Sequence, residues 1–513
     1  MAGSARALGW GALGLVGLAL AAPVAALFAA AGTQDPGPQA LSVLRFTLVQ
    51  AALSAAISCL AAMPLARALA RRRFPGRGAL IAITAAPFVL PSLVAVLGIA
   101  AVWGRAGPVS DALAWAGLAR LDIYGLAGMV TGHVFFNLPL VARMLLQGWA
   151  AVPAEHHRLA EHLGLTGWAR FRLIEAPVLR EVLPGAFLLV FLLAMTSFSV
   201  ALTLGGGPGA ATLEVAIYQA LRFEFAPGRA AVLALIQLVL ALGLGLGLLA
   251  LGRGAGLGPG LDLPRLPGPG GWRRAADAAA IATGAGFLIA PLLAVALRGA
   301  PALLAGLPDP VWRAAAVSAA IAPPSAALAL GLAGAIGALA AGGPGGRLAE
   351  ALGVALLAAS PFVMGTGLFL ILNPVTDPFA LALPVTVLVN ALMALPFGLR
   401  LMVPALARAE ADWGRLADSL GIRGWARLRL VIWPRVRRPA ALTAGLAAAL
   451  SVGDLGVITL FAPPDLATLP LAVYRLMGAY RMDDAMGAAL VLAALSLVFL
   501  AAADRAGGRD DPA

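Results

Sequence analysis

There is no lysine anywhere in these 513 residues, so all 36 basic side chains are arginine, set against 24 carboxylates for a formal net charge of +12. That absence excludes a phosphate-binding loop ending in Gly-Lys-Ser/Thr and any Schiff-base lysine. Cys59 is the only cysteine, which excludes a disulfide within the chain. Charge of either sign is scarce, at 12% of residues, while 61% are hydrophobic and the mean hydropathy is +0.93. These values lie outside the range of soluble domains and describe an all-α polytopic membrane protein. The pI of about 11.3 does not point to nucleic acid. The arginines fall between apolar spans, as expected where basic residues are retained on the cytoplasmic side.

What is abundant is long apolar runs. Twelve spans are expected near residues 8–30, 41–70, 78–104, 124–147, 182–204 and 228–251, then 275–298, 312–341, 348–372, 381–404, 440–461 and 484–503. Each suffices to cross about 30 Å of hydrocarbon at about 1.5 Å per residue. The N-terminal run "GWGALGLVGLALAAPVAALFAAAG" is too long for a typical signal-peptide core and reads as an uncleaved first span. The arginine-bearing links "RRRFPGR" (71–77) and 252–274 place their side, and both chain ends, in the cytoplasm by the positive-inside rule.

The Gly/Pro-rich segment 252–274 has too few apolar residues to pack and too many breakers to span. It separates a first six-span module, 1–251, from a second, 275–513. An even number of spans gives both halves the same orientation, hence a parallel repeat about a pseudo-twofold axis along the membrane normal. The repeat is visible in the text: "RLAEHLGLTGWARFRLIEAPVLR" (158–180) returns as "RLADSLGIRGWARLRLVIWPRVR" from residue 415, with 13 of 23 positions identical at a constant offset of 257. Leu138, Pro139 and Arg143 fall on Leu395, Pro396 and Arg400 at the same offset.

Within the first copy, Val152, Leu159 and Leu163 share one helical face, apart from Glu155, Arg158, Glu161 and His162. Pro153 suits a first helical turn and Gly164 the left-handed residue after a helix end. A second short helix is expected to start after Thr166 as N-cap and to carry Trp168, Phe171 and Ile174 toward an end at Pro177. In the second copy Gly421 holds the corner, Trp425 the aromatic position and Pro434 the end. One such element alone would read as an interfacial amphipathic linker. Two that agree better than most of the spans point to two equivalent partner surfaces.

The pattern of alanine-rich helix, glycine, aliphatic residue and proline resembles the EAA loop of ABC importer permeases. Its residues here are Leu159, Ala160, Gly164, Trp168, Ile174 and Pro177 within a loop of about 150–181, and Leu416, Ala417, Gly421, Trp425, Val431 and Pro434 within about 405–439. Arg158 and Arg415 stand where that family usually has glutamate. The phrases "GHVFFNLPLVARMLLQ", "LTLGGGPGAATLEVAIYQAL", "LSVGDLGVITLF" and "TLPLAVYRLMGAYR" resemble most the fused permeases of thiamine and thiamine diphosphate importers, with fused ferric-iron permeases as the nearest competitor. The resemblance implies two type I importer modules and import by alternating access. It further implies two copies of a separate ATPase subunit docked on the loops, a periplasmic thiamine-binding protein, and an inner-membrane location among lipid. No cofactor is then bound by this chain, ATP being consumed by its partners.

Ionisable groups inside spans mark a pathway or a buried partner. Asp454, mid-span in "SVGDLGV", aligns with Ser197, so a carboxylate stands on only one side of the pseudo-twofold. It is a candidate for meeting a cationic thiazolium, capping a helix or pairing with an arginine. Asn137, beside Pro139, either lines the pathway or satisfies backbone freed by the proline, and Asn390 and Asn373 are equally unplaced. His133 reads as a packed histidine. His156, His157 and His162 lack a shared metal-ligand spacing. The run "GGGPG" (205–209) reads as a turn. Glu214, Tyr218, Arg222, Glu224, Tyr474, Arg475 and Arg481 are expected at the external ends, either receiving the binding protein or packing locally. A secondary transporter would predict short inner loops and a carboxylate network, and a membrane enzyme a catalytic constellation; this sequence has neither.

Overall fold

The computed structural model describes residues 3–32, 34–84, 90–165, 167–251, 271–341 and 345–508. Thr166, and most of the expected linker 252–274, lie outside the described residues. In the first half the helices are α1 (Gly3–Ala31), α2 (Ala40–Arg71), α3 (Arg77–Ile83), α4 (Ser92–Trp103), α5 (Pro108–Trp115), α6 (Leu126–Ala150), α7 (Ala154–His162), α8 (Gly167–Arg170), α9 (Ala176–Met195), α10 (Phe198–Leu204), α11 (Leu213–Arg222) and α12 (Pro227–Ala250). In the second they are α13 (Trp272–Ala305), α14 (Asp309–Ala341), α15 (Gly345–Ala358), α16 (Pro361–Leu372), α17 (Ala382–Ser419), α18 (Gly424–Arg427), α19 (Trp433–Gly453), α20 (Gly456–Phe461), α21 (Leu469–Gly478) and α22 (Met482–Gly507).

Among the described residues, eleven helical stretches are long and apolar enough to cross a membrane. A twelfth is the pair α15 and α16, bent by 82°, where the expected ninth span was a single run. Proline starts α16, and the Ser360 hydroxyl accepts from Val363 N at 3.2 Å, so the chain turns at an N-cap in mid-span. The expected fifth and eleventh spans are also interrupted. Thr196 and Ser197 separate α9 from α10, and Asp454 and Leu455 separate α19 from α20. The tenth runs longer than expected: α17 continues through Pro404 into the repeated loop, without a break at 404.

The two halves share a pattern of helix contacts. α2 packs on α6 and α9, as α14 does on α17 and α19. Thr47 Oγ1 on α2 accepts from Leu213 N at 2.9 Å, and Ser318 Oγ on α14 accepts from Leu469 N at 2.8 Å. Each hydroxyl thereby satisfies a backbone N–H in the first turn of α11 or α21, groups that a helix cannot satisfy itself. The first helix of each half packs across onto the other, α1 on α14 and α13 on α2 among other contacts. α1 packs on α16 of the second half, and α13 packs on α4 of the first. The backbones nearly touch there: a Cβ on Gly367 would sit 2.5 Å from the Pro23 carbonyl oxygen, and one on Gly98 would sit 2.4 Å from that of Pro291. Small residues permit this approach, which drives association where apolar burial against lipid offers little. The halves are therefore not independent bodies.

Candidate functional site

Both repeated loops are built the same way. α7 ends in a Schellman turn: Leu165 N donates to Ala160 O at 2.8 Å, with Gly164 at φ +63°. The end of α17 repeats it, with Ile422 N donating to Ala417 O at 2.9 Å and Gly421 at φ +67°. Glycine is the residue that takes this conformation without a Cβ clash. A second left-handed glycine, Gly167 or Gly424, then opens α8 or α18. A single π turn follows in each, Phe171–Glu175 and Leu428–Ile432, again at an offset of 257.

The π turns correct one expectation. Pro177 and Pro434 do not end a helix; each lies in the first turn of α9 or α19, and the helix passes through. The widened turn takes up the mismatch, with Ala176 N donating to Phe171 O and Trp433 N to Leu428 O, so that proline's missing N–H falls where the ladder is already rearranged. Each loop is thus continuous with a membrane helix.

The side-chain pattern splits cleanly. Ala160 and Ala417 are buried, as are Ile174 and Ile432, while Val431 is half-buried. Leu159, Leu163, Trp168 and Leu173 point outward, and so do Leu416, Leu420, Trp425 and Leu430, their counterparts at the constant offset. The tryptophans are 72% and 73% exposed, and the leucines after α7 and α17 are both 64% exposed. Trp168 stacks on Phe171 with centroids 5.2 Å apart. The face shared by Leu159 and Leu163 is therefore turned away from the bundle. Such duplicated apolar patches are what a partner would cover.

What holds each loop was not read from the sequence. Glu175, buried in the first π turn, accepts from Arg67 Nε at 2.6 Å and from Arg71 on α2. Arg427, buried in the second loop, donates to Glu410 Oε1 at 2.6 Å and to Asp418 Oδ1 at 2.5 Å. Among the described residues its counterpart Arg170 has a buried Nη2 without a partner, beside His157, whose two ring nitrogens are also unpartnered there. Burial is the main cause that lowers the His157 pKa from its ordinary 6.5, with the Arg170 charge reinforcing it.

At mid-span, Asp454 sits in the break between α19 and α20. Its Oδ1 accepts from Gly456 N at 3.1 Å, capping its own helix rather than a neighbour. Its Oδ2 is buried without a hydrogen-bond partner, and no arginine pairs with it among the described residues. The break lies against both halves: a Cβ on Gly453 would meet Pro91 at 3.1 Å, and one on Gly456 would meet Pro361 at 3.1 Å. Ser197 occupies the equivalent break, half-buried, without a side-chain cap bond. Asn137 is buried on α6. One turn earlier His133 Nδ1 lies 3.2 Å from Ser54 Oγ. Its counterpart Asn390 donates to Ser451 Oγ at 3.0 Å, and Ser451 in turn to Ser325 Oγ at 3.1 Å. Asn373 is exposed at the end of α16.

Two residues expected at the external surface are inside. Glu214 is fully buried, accepting from Gln237, and Tyr218 packs edge-on against Phe198 at 5.4 Å. Arg222 turns inward to Ala462 O at 3.1 Å, and Arg475 bonds Pro464 O at 2.9 Å. Both bonds stitch the rim.

The sequence profile described as "Binding-protein-dependent transport system inner membrane component" matches residues 57–255. The chain is 42% identical over 475 residues to the thiamine transport system permease protein ThiP of Brucella abortus, covering 90% of this chain and 87% of that protein. It is 37% identical over 490 residues to ThiP of Escherichia coli K12, covering 91% and 89%. The molybdenum transport system permease protein ModB of Azotobacter vinelandii is 30% identical over 177 residues, 34% of this chain and 78% of that one. With eleven to twelve apolar crossings among the described residues, two matching loops and relatives that run nearly its whole length, this multi-pass membrane protein belongs to the thiamine transport permeases, within the binding-protein-dependent ABC permeases.

Proposed function

We propose that this chain moves thiamine and its phosphate esters from periplasm to cytoplasm, powered by two copies of a separate ATPase subunit seated on residues 150–181 and 405–439. The observation that carries the reading is the paired outward face, with the same apolar side chains exposed at the same positions of both loops. A periplasmic thiamine-binding protein delivers substrate on the opposite membrane face, and both chain ends lie in the cytoplasm. The modules are 1–251 and 275–513, joined by 252–274. The chain binds no cofactor and carries no ATP site of its own.

The mechanical path follows from continuity. A force on Trp168 or Trp425 enters α8 or α18 and passes through the π turn into α9 or α19. It arrives at the break beside Ser197 or Asp454, because packed helices move as rigid elements and yield where the ladder is interrupted. Discontinuous helices near the midplane are where transporters bind substrate. There Asp454 offers an unpaired carboxylate oxygen suited to a cation, with Ser197 and Asn137 as polar companions.

Uptake of labelled thiamine, measured in a thiamine auxotroph with and without this gene and with ferric iron in parallel, tests the substrate. Loss of thiamine uptake alone is the expected result; loss of iron uptake alone would overturn it. Asp454→Asn is expected to weaken apparent affinity for thiamine about tenfold, the scale of one charge-assisted contact. An unchanged uptake curve for Asp454→Asn, with Asp454→Leu folding and transporting normally, would remove Asp454 from the pathway.

A further inference from the structure

Sixteen described residues have left-handed backbone, and fourteen of them are glycine. The other two are aromatic: Phe225 at φ +51° and Tyr480 at φ +58°. They are counterparts. Each stands two residues before the last helix of its half, Phe225 ahead of Pro227 and Tyr480 ahead of Met482. Both lie on the face reached after α9 or α19 has crossed, opposite the repeated loops. They are 80% and 92% exposed, so neither ring is held by packing. The backbone beneath them is fixed instead: Ala226 N donates to Ala220 O at 2.9 Å, and Arg481 N to Leu476 O at 3.0 Å. Ion pairs flank both corners, Arg229 with Glu224 at 2.5 Å and Arg481 with Asp484 at 2.6 Å.

A bulky side chain at positive φ sets its Cβ against the following carbonyl, which is why such positions go to glycine. This chain has 61 glycines and uses them at every other left-handed position described. Two exposed aromatics held in that conformation at matching points gain nothing inside the fold, and backbone strain of this kind points to function. Rigid aromatics on fixed backbone are the side chains that anchor protein interfaces. A membrane-interface belt needs no such backbone: Trp115, 92% exposed, ends an ordinary helix. The family to which the chain belongs is described as binding-protein-dependent, and this is the face such a protein would approach.

We propose that Phe225 and Tyr480 are paired anchors for the substrate-binding protein, each engaging a different point on its surface. The proposal rests on the importer reading but not on thiamine as the substrate. Photo-crosslinking in intact cells tests it, with benzoylphenylalanine placed at 225 or 480 of the full transporter. The expected result is an adduct from each position with one and the same periplasmic solute-binding protein, mapping to two different peptides. Adducts with lipid alone, with two unrelated proteins, or none would overturn it. If the captured protein binds iron, the anchors stand and the thiamine reading falls. Phe225→Gly combined with Tyr480→Gly, which relieves the backbone, is expected to weaken affinity for the captured protein at least tenfold while leaving basal ATPase activity unchanged and the melting temperature no lower. Affinity within twofold of wild type would also overturn the proposal.

Discussion

In the first repeated loop Glu175 reaches back to Arg67 and Arg71 on α2, whereas at the same position of the second loop stands Ile432. The second loop is held from within, by Arg427 bridging Glu410 and Asp418. Its helix α17 enters it unbroken, where α6 stops and Pro153 starts a separate α7. Yet Leu159, Leu163, Trp168 and Leu173 recur outward as Leu416, Leu420, Trp425 and Leu430, and the second loop adds Trp413, Leu428 and Trp433. Four outward apolar side chains of the first loop are kept in the second while the ion pairs that fix the loop are not, because many anchors can fix one surface. The difference also implies unequal stiffness: a hinge at residues 151–153 in one loop and a stapled rod in the other.

The largest effect is expected from the shared face. Trp168→Ala or Trp425→Ala should each weaken binding of the ATPase subunit by about 2–3 kcal/mol, the range of a buried interface tryptophan, measured by co-purification and by titration in detergent. Similar losses at both positions would support equivalent surfaces; a loss at only one would break the symmetry. Next come the anchors. Glu175→Ile, which imports the second loop's residue, leaves Arg71 without its carboxylate and should cost about 2 kcal/mol by thermal unfolding. Arg427→Ala should cost about 2 kcal/mol, reduced because Asp418 is 65% exposed. Arg170→Ala should be close to neutral, since its Nη2 has no partner to lose.

A smaller gain is expected from making the first loop resemble the second. Pro153→Glu places a carboxylate where Glu410 stands, opposite Arg170, and removes the helix break. Stability should rise by about 1 kcal/mol and hydrogen exchange across residues 151–153 should slow. Smallest is a pH effect confined to the first loop. The folded His157 resists a proton that the unfolded chain accepts near its ordinary 6.5. The loop's stability is therefore fully present above about pH 6.5 and falls as pH drops toward the lowered folded value. Hydrogen exchange should show that loss in the first loop alone, because Gly414 occupies the position in the second, and His157→Asn should abolish it.

The span count, the repeat and the two glycine corners were legible in the sequence because they rest on local periodicity and on a residue type with one conformational use. Glycine at 164 and 421 predicts left-handed helix ends, and both are found there. Proline at 177 and 434 misleads, since the π turn that accommodates it leaves no compositional mark. Hydropathy reads α15 and α16 as one span because it weighs residues without direction, and the 82° bend adds none that are polar enough to show. Glu175 and Arg427 escaped notice for opposite reasons. The partners of Glu175 lie more than a hundred residues away, whereas Arg427 was one arginine among several in a loop expected to be basic. Glu214 and Tyr218 were expected at the external ends, receiving the binding protein or packing locally, and both pack inside, against partners distant in sequence such as Gln237 and Phe362.

The exchanged first helices set a problem in time. α1 leaves the ribosome well before α16, and Gly367, which receives Pro23, is made 344 residues after it, which at about 5–20 residues per second is a wait of about 17–69 s. Until then α1 lacks that contact, even after α14, its other neighbour in the second half, has been made, and its proline-bearing face is not yet covered. Synthesis as one polypeptide keeps the late-made α16 tethered to the helix that awaits it, so the last step of assembly is a clasp closing within one molecule rather than a search between two.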